Sequence, residues 1–255
     1  MGLCSAPVRE MVPLNHVVSI VLAGIVAGAI AAIAGFGIGS ILTPLLALWV
    51  GTKLAVALVS IPHFIGTGLR FLVIRQYVDR HVLWSFGLTS AAGGLTGAIL
   101  HIWLRSTALG YVLGALLVFA GITGITGIAS RMRFGARTAW IAGALSGLFG
   151  GMVGNQGGIR SAALLGFSLQ LEAFVATATA IALLIDVCRM PVYAALQFHS
   201  VVAAWPLTAL ATVGVVIGTL SGKWMLHRIP LNVFRAVVAG IILALGIWML
   251  LHPSA

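Results

Sequence analysis

The stretch VVSIVLAGIVAGAIAAIAGFGIGSILTPLLALWV, residues 17–50, decides how this chain folds. About 18 apolar residues lead into a glycine-rich cluster at residues 35–40, and about 10 more apolar residues follow up to Trp49. A membrane helix needs roughly 20 apolar residues, so these pieces are short for two full spans and long for one. Because glycine favours non-helical backbone, we expect a broken helix or a re-entrant hairpin. Two ordinary helices joined by a tight glycine turn are the alternative.

Residues 139–170 repeat this form, with about 15 residues before a second cluster at residues 154–158 and about 12 after it. Non-helical backbone at membrane depth is tolerated only where protein buries it or it lines a cavity. The two clusters, called here the first and second glycine tips, are therefore expected inside the bundle. Six other segments have the length and apolar character of membrane helices: residues 54–75, 82–103, 107–129, 173–196, 200–222 and 231–252.

Composition excludes a water-soluble domain and several classes of function. Only 7% of the residues are charged and 61% are hydrophobic, whereas soluble domains carry about 25% charged residues. The net charge of +10 comes from single bases between apolar stretches, which is typical of topology signals and not of nucleic-acid binding. The chain has two cysteines and no metal-ligand spacing, HExxH, GxSxG or useful acid pair, so we expect no metal, no cofactor and no enzyme.

The two halves of the chain resemble copies of one unit. A shift of 119 residues superimposes three pairs of glycines and one pair of arginines inside apolar segments: Gly28 and Gly147, Gly35 and Gly154, Gly39 and Gly158, Arg70 and Arg189. Each half then has one glycine-broken element plus three spanning helices. The expected division is a tail at 1–16, a first repeat at 17–129, a basic loop at 130–138 and a second repeat at 139–252.

The basic residues predict the orientation of these repeats in the membrane. Bases concentrate in the loops at residues 75–81, 130–138 and 223–230, which should face the cytoplasm. The opposite side has Lys53, Arg105 and an uncharged turn near His199. The second repeat then starts on the opposite side from the first, as in the inverted-topology repeats of secondary transporters. We expect a multi-pass protein of a bacterial-type plasma membrane with both termini outside.

The second tip is the most informative stretch for function. It places two amides, Asn155 and Gln156, next to Gly157, Gly158 and Arg160, where lipid-facing sequence would be Leu and Val. The short helix that follows would aim free backbone N–H groups at the tip, which suits an anion. The alternative is a polar contact that holds helices together.

The first tip has fewer polar side chains. Gly39 could bring backbone against a substrate, and Ser40 is a plausible N-cap; close packing is the alternative. Further along, His63, Thr67 and Arg70 share one helix face. An arginine within a span usually faces the bundle interior, although Arg70 is near a helix end and could snorkel to the headgroups.

Asp186 and Arg189 are three residues apart within the second repeat, and Tyr193 lies one turn beyond. The two charges could simply neutralise each other. In the functional interpretation Asp186, the one acid well inside a span, is a proton-coupling carboxylate that competes with the substrate for Arg189. Tyr193 would then line the same path.

The glycine-rich openings of the halves, AGAIAAIAGFGIGSILTPLLALWVG and SGLFGGMVGNQGGIRSAALLGF, together with the duplication, resemble the TauE/SafE family, the sulfite exporter or 4-toluene sulfonate uptake permease group. The resemblance covers about residues 17–250, although Ile38 interrupts a glycine run that many members carry. It implies alternating-access transport of a small anion such as sulfite, a sulfonate, a sulfoacetate-like molecule or another organic acid. A non-transporting membrane scaffold or assembly component is the alternative, and the oligomeric state is left open.

Overall fold

The computed structural model describes residues 14–128, 136–155, 157–167, 169–226 and 231–253. Within these ranges the chain forms nine α-helices and no β-strand. Short 3₁₀ turns at Arg75–Tyr77 and Leu165–Phe167 extend the second and sixth helices. The helices are α1 (Leu14–Ala34), α2 (Ile38–Ile74), α3 (Arg80–Trp103), α4 (Ser106–Thr126), α5 (Ala136–Val153), α6 (Gly157–Leu164), α7 (Leu171–Ala203), α8 (Trp205–Leu226) and α9 (Leu231–Leu251).

Six stretches are long and apolar enough to cross a membrane: Val17–Ala34, Ile38–Tyr77, Arg80–Trp103, Ser106–Thr126, Leu171–Ala203 and Trp205–Gly222. Large apolar side chains cover the outside of the bundle, and Trp103 and Trp224 are each 81% exposed. Such a surface suits lipid, because hydrocarbon does not penalise exposed apolar groups. The prediction of an all-helical, multi-pass membrane bundle is confirmed.

Two of the predicted helix boundaries fall beside interruptions inside longer helices. The span predicted from residue 54 is part of α2, and non-helical backbone at Gly51 (φ 76°, ψ 154°) divides α2 just before it. The span predicted to end at residue 196 is interrupted at Gln197, and helical backbone continues beyond it to Ala203. The next helix starts where Pro206 fits its first turn, since proline lacks the N–H that would be unpaired there anyway.

The most extensive contacts between helices join the first part of the chain to the second. Helix α1 packs along α8, α3 along α5, and α4 along α9, while α2 lies between α7 and α8. Glycines allow the first two of these pairs to approach closely, because a Cβ atom at Gly28, Gly97 or Gly151 would collide with the backbone of the partner helix. The interior of the bundle is therefore built from both parts of the chain.

Candidate functional site

The two glycine tips meet inside the bundle. Each tip begins where a helix ends at a glycine in the left-handed region, Gly35 (φ 78°) after α1 and Gly154 (φ 72°) after α5. The side-chain hydroxyl of Ser40 donates a hydrogen bond to Oδ1 of Asn155 over 3.1 Å. A Cβ atom at Gly39 would collide with the carbonyl oxygen of Gly154. Residues 115 positions apart in sequence are thus in direct contact.

Ser40 does not cap a helix, contrary to the sequence-based expectation. The N-cap of α2 is Gly37, which has no side chain, and Ser40 lies inside the first turn of that helix. Its hydroxyl is free for the contact with Asn155 because it is not needed at the helix end. A residue predicted to act locally therefore links the two tips.

Arg70 points into the bundle, so it does not snorkel to the headgroups. Its side chain is buried at 7% exposure, and all three guanidinium nitrogens donate hydrogen bonds. Nε donates to Oγ1 of Thr179 at 2.9 Å, Nη1 to the carbonyl of Ala31, and Nη2 to the carbonyl of Gly35 at 3.2 Å. A cation at the C-terminal carbonyls of α1 is favourable because that end of the helix carries partial negative charge.

Arg189 makes the corresponding contact at the end of α5. Its Nη1 donates to the carbonyl of Gly150 at 2.8 Å, and Gly150 lies 39 residues before it, as Ala31 lies 39 residues before Arg70. Nε and Nη2 of Arg189 both lie 2.8 Å from Oδ1 of Asp186. Each arginine therefore fixes the last turn of a helix that stops at a glycine tip.

Asp186 is held from two sides in a fully buried position. Oδ1 is bound by Arg189, and Oδ2 lies 2.7 Å from Nδ1 of His63. The ion pair between Asp186 and Arg189 that the sequence allowed is present. His63 extends this pair to a triad that joins α2 to α7. Both oxygens of the carboxylate are satisfied, which is what a buried charge requires.

A further set of buried polar atoms has no partner among the described residues. These atoms are Nε and Nη1 of Arg160, Nδ2 of Asn155, and the hydroxyls of Thr43, Thr67, Thr208 and Thr219. Arg160 is 1% exposed and Asn155 4% exposed. A buried donor without an acceptor costs about 1–3 kcal/mol, and more when it is charged. The unpaired donors of Arg160 and Asn155 therefore suit a binding partner that supplies acceptors.

Of these residues, Asn155 and Thr43 lie at the meeting point of the tips. A Cβ atom at Gly154 would be 3.6 Å from Oγ1 of Thr43 and 3.4 Å from Nη1 of Arg189. Arg160 interacts electrostatically with Asp186, His63 and Arg70. The buried cations of both parts of the chain are therefore near enough to the tip contact and to each other to interact.

The remaining predicted residues divide into three groups. Tyr193 is 2% exposed and donates to the carbonyl of Gly151, so it also holds the end of α5. Gly157 faces Phe36 of the first tip, whereas Gly158 faces Ala120 of α4 and not the first tip. Gln156 lies outside the described residues.

Sequence reasoning missed three participants. Thr179 accepts from Arg70, and Thr43 lies beside Gly154, but threonine in an apolar helix gives no distinctive signal. His101, in the last turn of α3, is fully buried. Its Nδ1 lies 2.7 Å from the carbonyl of Met152, and its Nε2 lies 3.0 Å from Nε2 of Gln197. The break of α7 at Gln197 falls at the predicted end of the span 173–196.

An apolar helical bundle with charged side chains clustered in its interior defines a multi-pass membrane protein with a buried polar centre. Among the described residues, no group of three or more His, Cys, Asp or Glu could hold a metal ion. The chain belongs to the TauE/SafE family of membrane transporters, because the family model described as "Sulfite exporter TauE/SafE" matches residues 20–249. No curated protein and no solved structure matches the chain.

Proposed function

We propose that the protein is a secondary transporter of a small anion, whose charged head binds beside Arg160 and Asn155 where the glycine tips meet. The observation that carries this proposal is the buried guanidinium of Arg160, with Nε and Nη1 unpaired among the described residues. A buried cation with two unpaired donors is unfavourable unless an anion occupies the site for part of the cycle. The unpaired amide nitrogen of Asn155 adds a neutral donor.

The charge balance of the interior supports an anionic substrate. Three arginines are buried in the described part of the chain, Arg70, Arg160 and Arg189, against one buried carboxylate, Asp186. Asp186 compensates Arg189, and helix C-termini compensate part of the charge of Arg70. Arg160 interacts with Asp186 only at longer range, because Arg189 and His63 already bind both oxygens of that carboxylate. Its positive charge is therefore the least compensated of the three and is the strongest attraction for an anion.

The chemistry of the donors favours an oxyanion. Guanidinium groups bind sulfonate, sulfite and carboxylate heads through paired N–H donors, and hydroxyls and amides complete the coordination. Thr43 and Thr67 supply hydroxyls, Gly39 and Gly157 allow close backbone approach, and Arg70 and Arg189 hold the tips in place. We therefore propose sulfite, a sulfonate, a sulfoacetate-like molecule or another organic acid as substrate.

We further propose that the two parts of the chain, 17–129 and 139–252, are inverted repeats that move against each other in alternating access. Three features support this. The arginine contacts to Ala31 and Gly150 span the same 39 residues. Helix α1 of the first repeat corresponds to α5 of the second, and α3 corresponds to α8. The α1–α8 contact therefore corresponds to the α5–α3 contact. The left-handed glycines at the two tips also correspond. Substrate sites of such transporters lie between the repeats near the midplane.

We propose a plasma-membrane location with both termini outside, on the strength of the basic loops described above. A C-terminal reporter that is active only outside the cytoplasm tests the orientation. The expected result is activity at the C-terminus and none for the same reporter inserted at residue 79. The opposite pattern refutes the orientation.

Flux measurements on the purified protein in liposomes test the transport proposal. We expect uptake of labelled sulfite, sulfoacetate or a related anion by the wild-type protein, and at least a tenfold loss in Arg160→Gln. Replacing the exposed Arg75 with Gln is the matched control, because it also removes one arginine but lies outside the interior site. It should transport as the wild type does.

Two outcomes would contradict these proposals at different levels. If folded wild-type protein transports none of the anions, the transporter assignment fails and the alternative of a non-transporting scaffold is favoured. If Arg160→Gln transports as well as Arg75→Gln, the site assignment fails while transport stands.

A further inference from the structure

We infer that transport of the anion is coupled to a proton carried by His63, with Asp186 as the fixed counter-charge that positions it. This inference rests on the proposed function and adds the coupling ion and the group that binds it. Asp186 was predicted from the sequence as the proton-coupling carboxylate, and the geometry instead assigns that role to the pair, with the proton on the imidazole.

The contacts of Asp186 favour its ionised form. Two nitrogens of Arg189 lie 2.8 Å from Oδ1, and Nδ1 of His63 lies 2.7 Å from Oδ2. An ionised carboxylate only accepts hydrogen bonds, so Nδ1 of His63 carries a hydrogen in this arrangement. Charge-assisted hydrogen bonds of this length stabilise the carboxylate strongly. Asp186 therefore stays ionised while both partners are in place.

The imidazole of His63 can gain a proton without losing this contact. With Nδ1 already protonated, the additional proton goes to Nε2, and the hydrogen bond to Asp186 is kept and becomes an ion pair. When His63 is neutral, Arg189 is the only charged group paired with Asp186. The pair thus has two stable charge states with the same geometry, which is what a coupling group needs.

Nε2, the nitrogen that gains the proton, lies on the side of the ring that is turned to the glycine tips. Cδ2 of His63, bonded to Nε2, would be 4.0 Å from a Cβ atom at Gly39, and Gly39 contacts Gly154. Gaining a proton at Nε2 adds a positive charge and a donor next to the proposed anion site. The bound proton then strengthens anion binding, and by thermodynamic linkage the anion strengthens proton binding equally.

Other charged groups sharpen this coupling. Besides Asp186 and Arg189 on α7, the charged group that interacts with His63 in the described residues is Arg160 on α6. Arg70, on the same helix as His63, directs its nitrogens to Thr179 and to the end of α1. Two neighbouring arginines oppose protonation of His63 when the site is empty. An anion beside Arg160 removes that opposition, so proton and anion bind together.

The test measures anion and proton movement in the same liposomes. Labelled sulfoacetate is the probe, because its acidic groups stay ionised between about pH 6 and pH 8 and cannot carry a proton themselves. With the membrane potential clamped at zero, an outside-acid gradient of one pH unit should drive accumulation of up to about tenfold, with proton entry recorded by an internal pH dye. His63→Gln should lose the gradient-driven accumulation and the coupled proton entry, whatever flux it retains down the anion's own gradient.

His81→Gln is the matched control, because His81 is exposed and lies away from the tips; it should behave as the wild type does. Sulfoacetate flux in the wild type without accumulation or proton entry overturns proton coupling but leaves anion transport intact. Accumulation by His63→Gln equal to that of His81→Gln overturns the role of His63. Should His63→Gln not fold, the wild-type proton measurement alone decides. No flux of sulfoacetate, sulfite or related anions in the wild type overturns the proposed function and this inference with it.

Discussion

The contact between the two glycine tips can be tested by replacing Gly39 with alanine. The added Cβ would collide with the carbonyl oxygen of Gly154, which is backbone and cannot rotate away like a side chain. Gly68 in the same helix provides a matched control, because a Cβ there has nothing within 4 Å. The two substitutions make the same chemical change and differ only in what surrounds it.

The expected sizes follow from the packing. Overpacking of a tight interior site costs about 1–3 kcal/mol, which for a chain of this length lowers the midpoint of thermal unfolding by roughly 2–12 °C. Gly68→Ala should change it little or raise it slightly, because alanine is the better helix former by roughly 0.5–1 kcal/mol. Thermal unfolding of both variants in detergent, followed by anion flux in liposomes, measures the difference. A Gly39→Ala protein as stable and as active as Gly68→Ala would refute the tip contact.

Three further substitutions have defined expectations. Arg189→Gln breaks the buried pair with Asp186 and should lower stability by about 3–5 kcal/mol, measurable as an unfolding shift; a shift no larger than that of an exposed arginine would contradict the pairing. Lys53→Met removes an amine that donates to two carbonyls at the end of α3 and should cost about 1.5–3 kcal/mol, with no loss expected in Lys53→Arg if charge at that position suffices. Asp79→Ala removes the N-cap of α3 and should cost about 1 kcal/mol, whereas Asp79→Asn should retain most of it.

The membrane character and the helical fold could be read from composition, because a bundle with so few charges can only be covered by lipid. Breaks at both glycine clusters were predicted from glycine chemistry, and α1 and α5 end directly before those clusters. The interruptions at Gly51 and Gln197 fall beside the predicted span limits at residues 54 and 196. That helical backbone continues on both sides of each interruption depends on packing that no local pattern records.

The candidate site was predicted in its members more than in its contacts. Arg70, Arg189 and Asp186 stood out as charges within apolar segments, and all three are buried. Their partners did not stand out, because the carbonyls of Ala31 and Gly150 belong to every residue type alike. Of the three buried arginines, only Arg160 has unpaired nitrogens among the described residues, a difference in contacts that the sequence does not record.

The pairing of α1 with α8 has a consequence for how the chain is made. About 190 residues separate the starts of these helices, so at ~5–20 residues per second the ribosome delivers α8 roughly 10–40 s after α1. During that interval α1 stands in the lipid without its main neighbour. Its span is the most apolar of the six, while that of α8 is among the least apolar. Helix α1 is apolar enough to remain in the lipid by itself, and the less apolar α8 packs against it when it is inserted later.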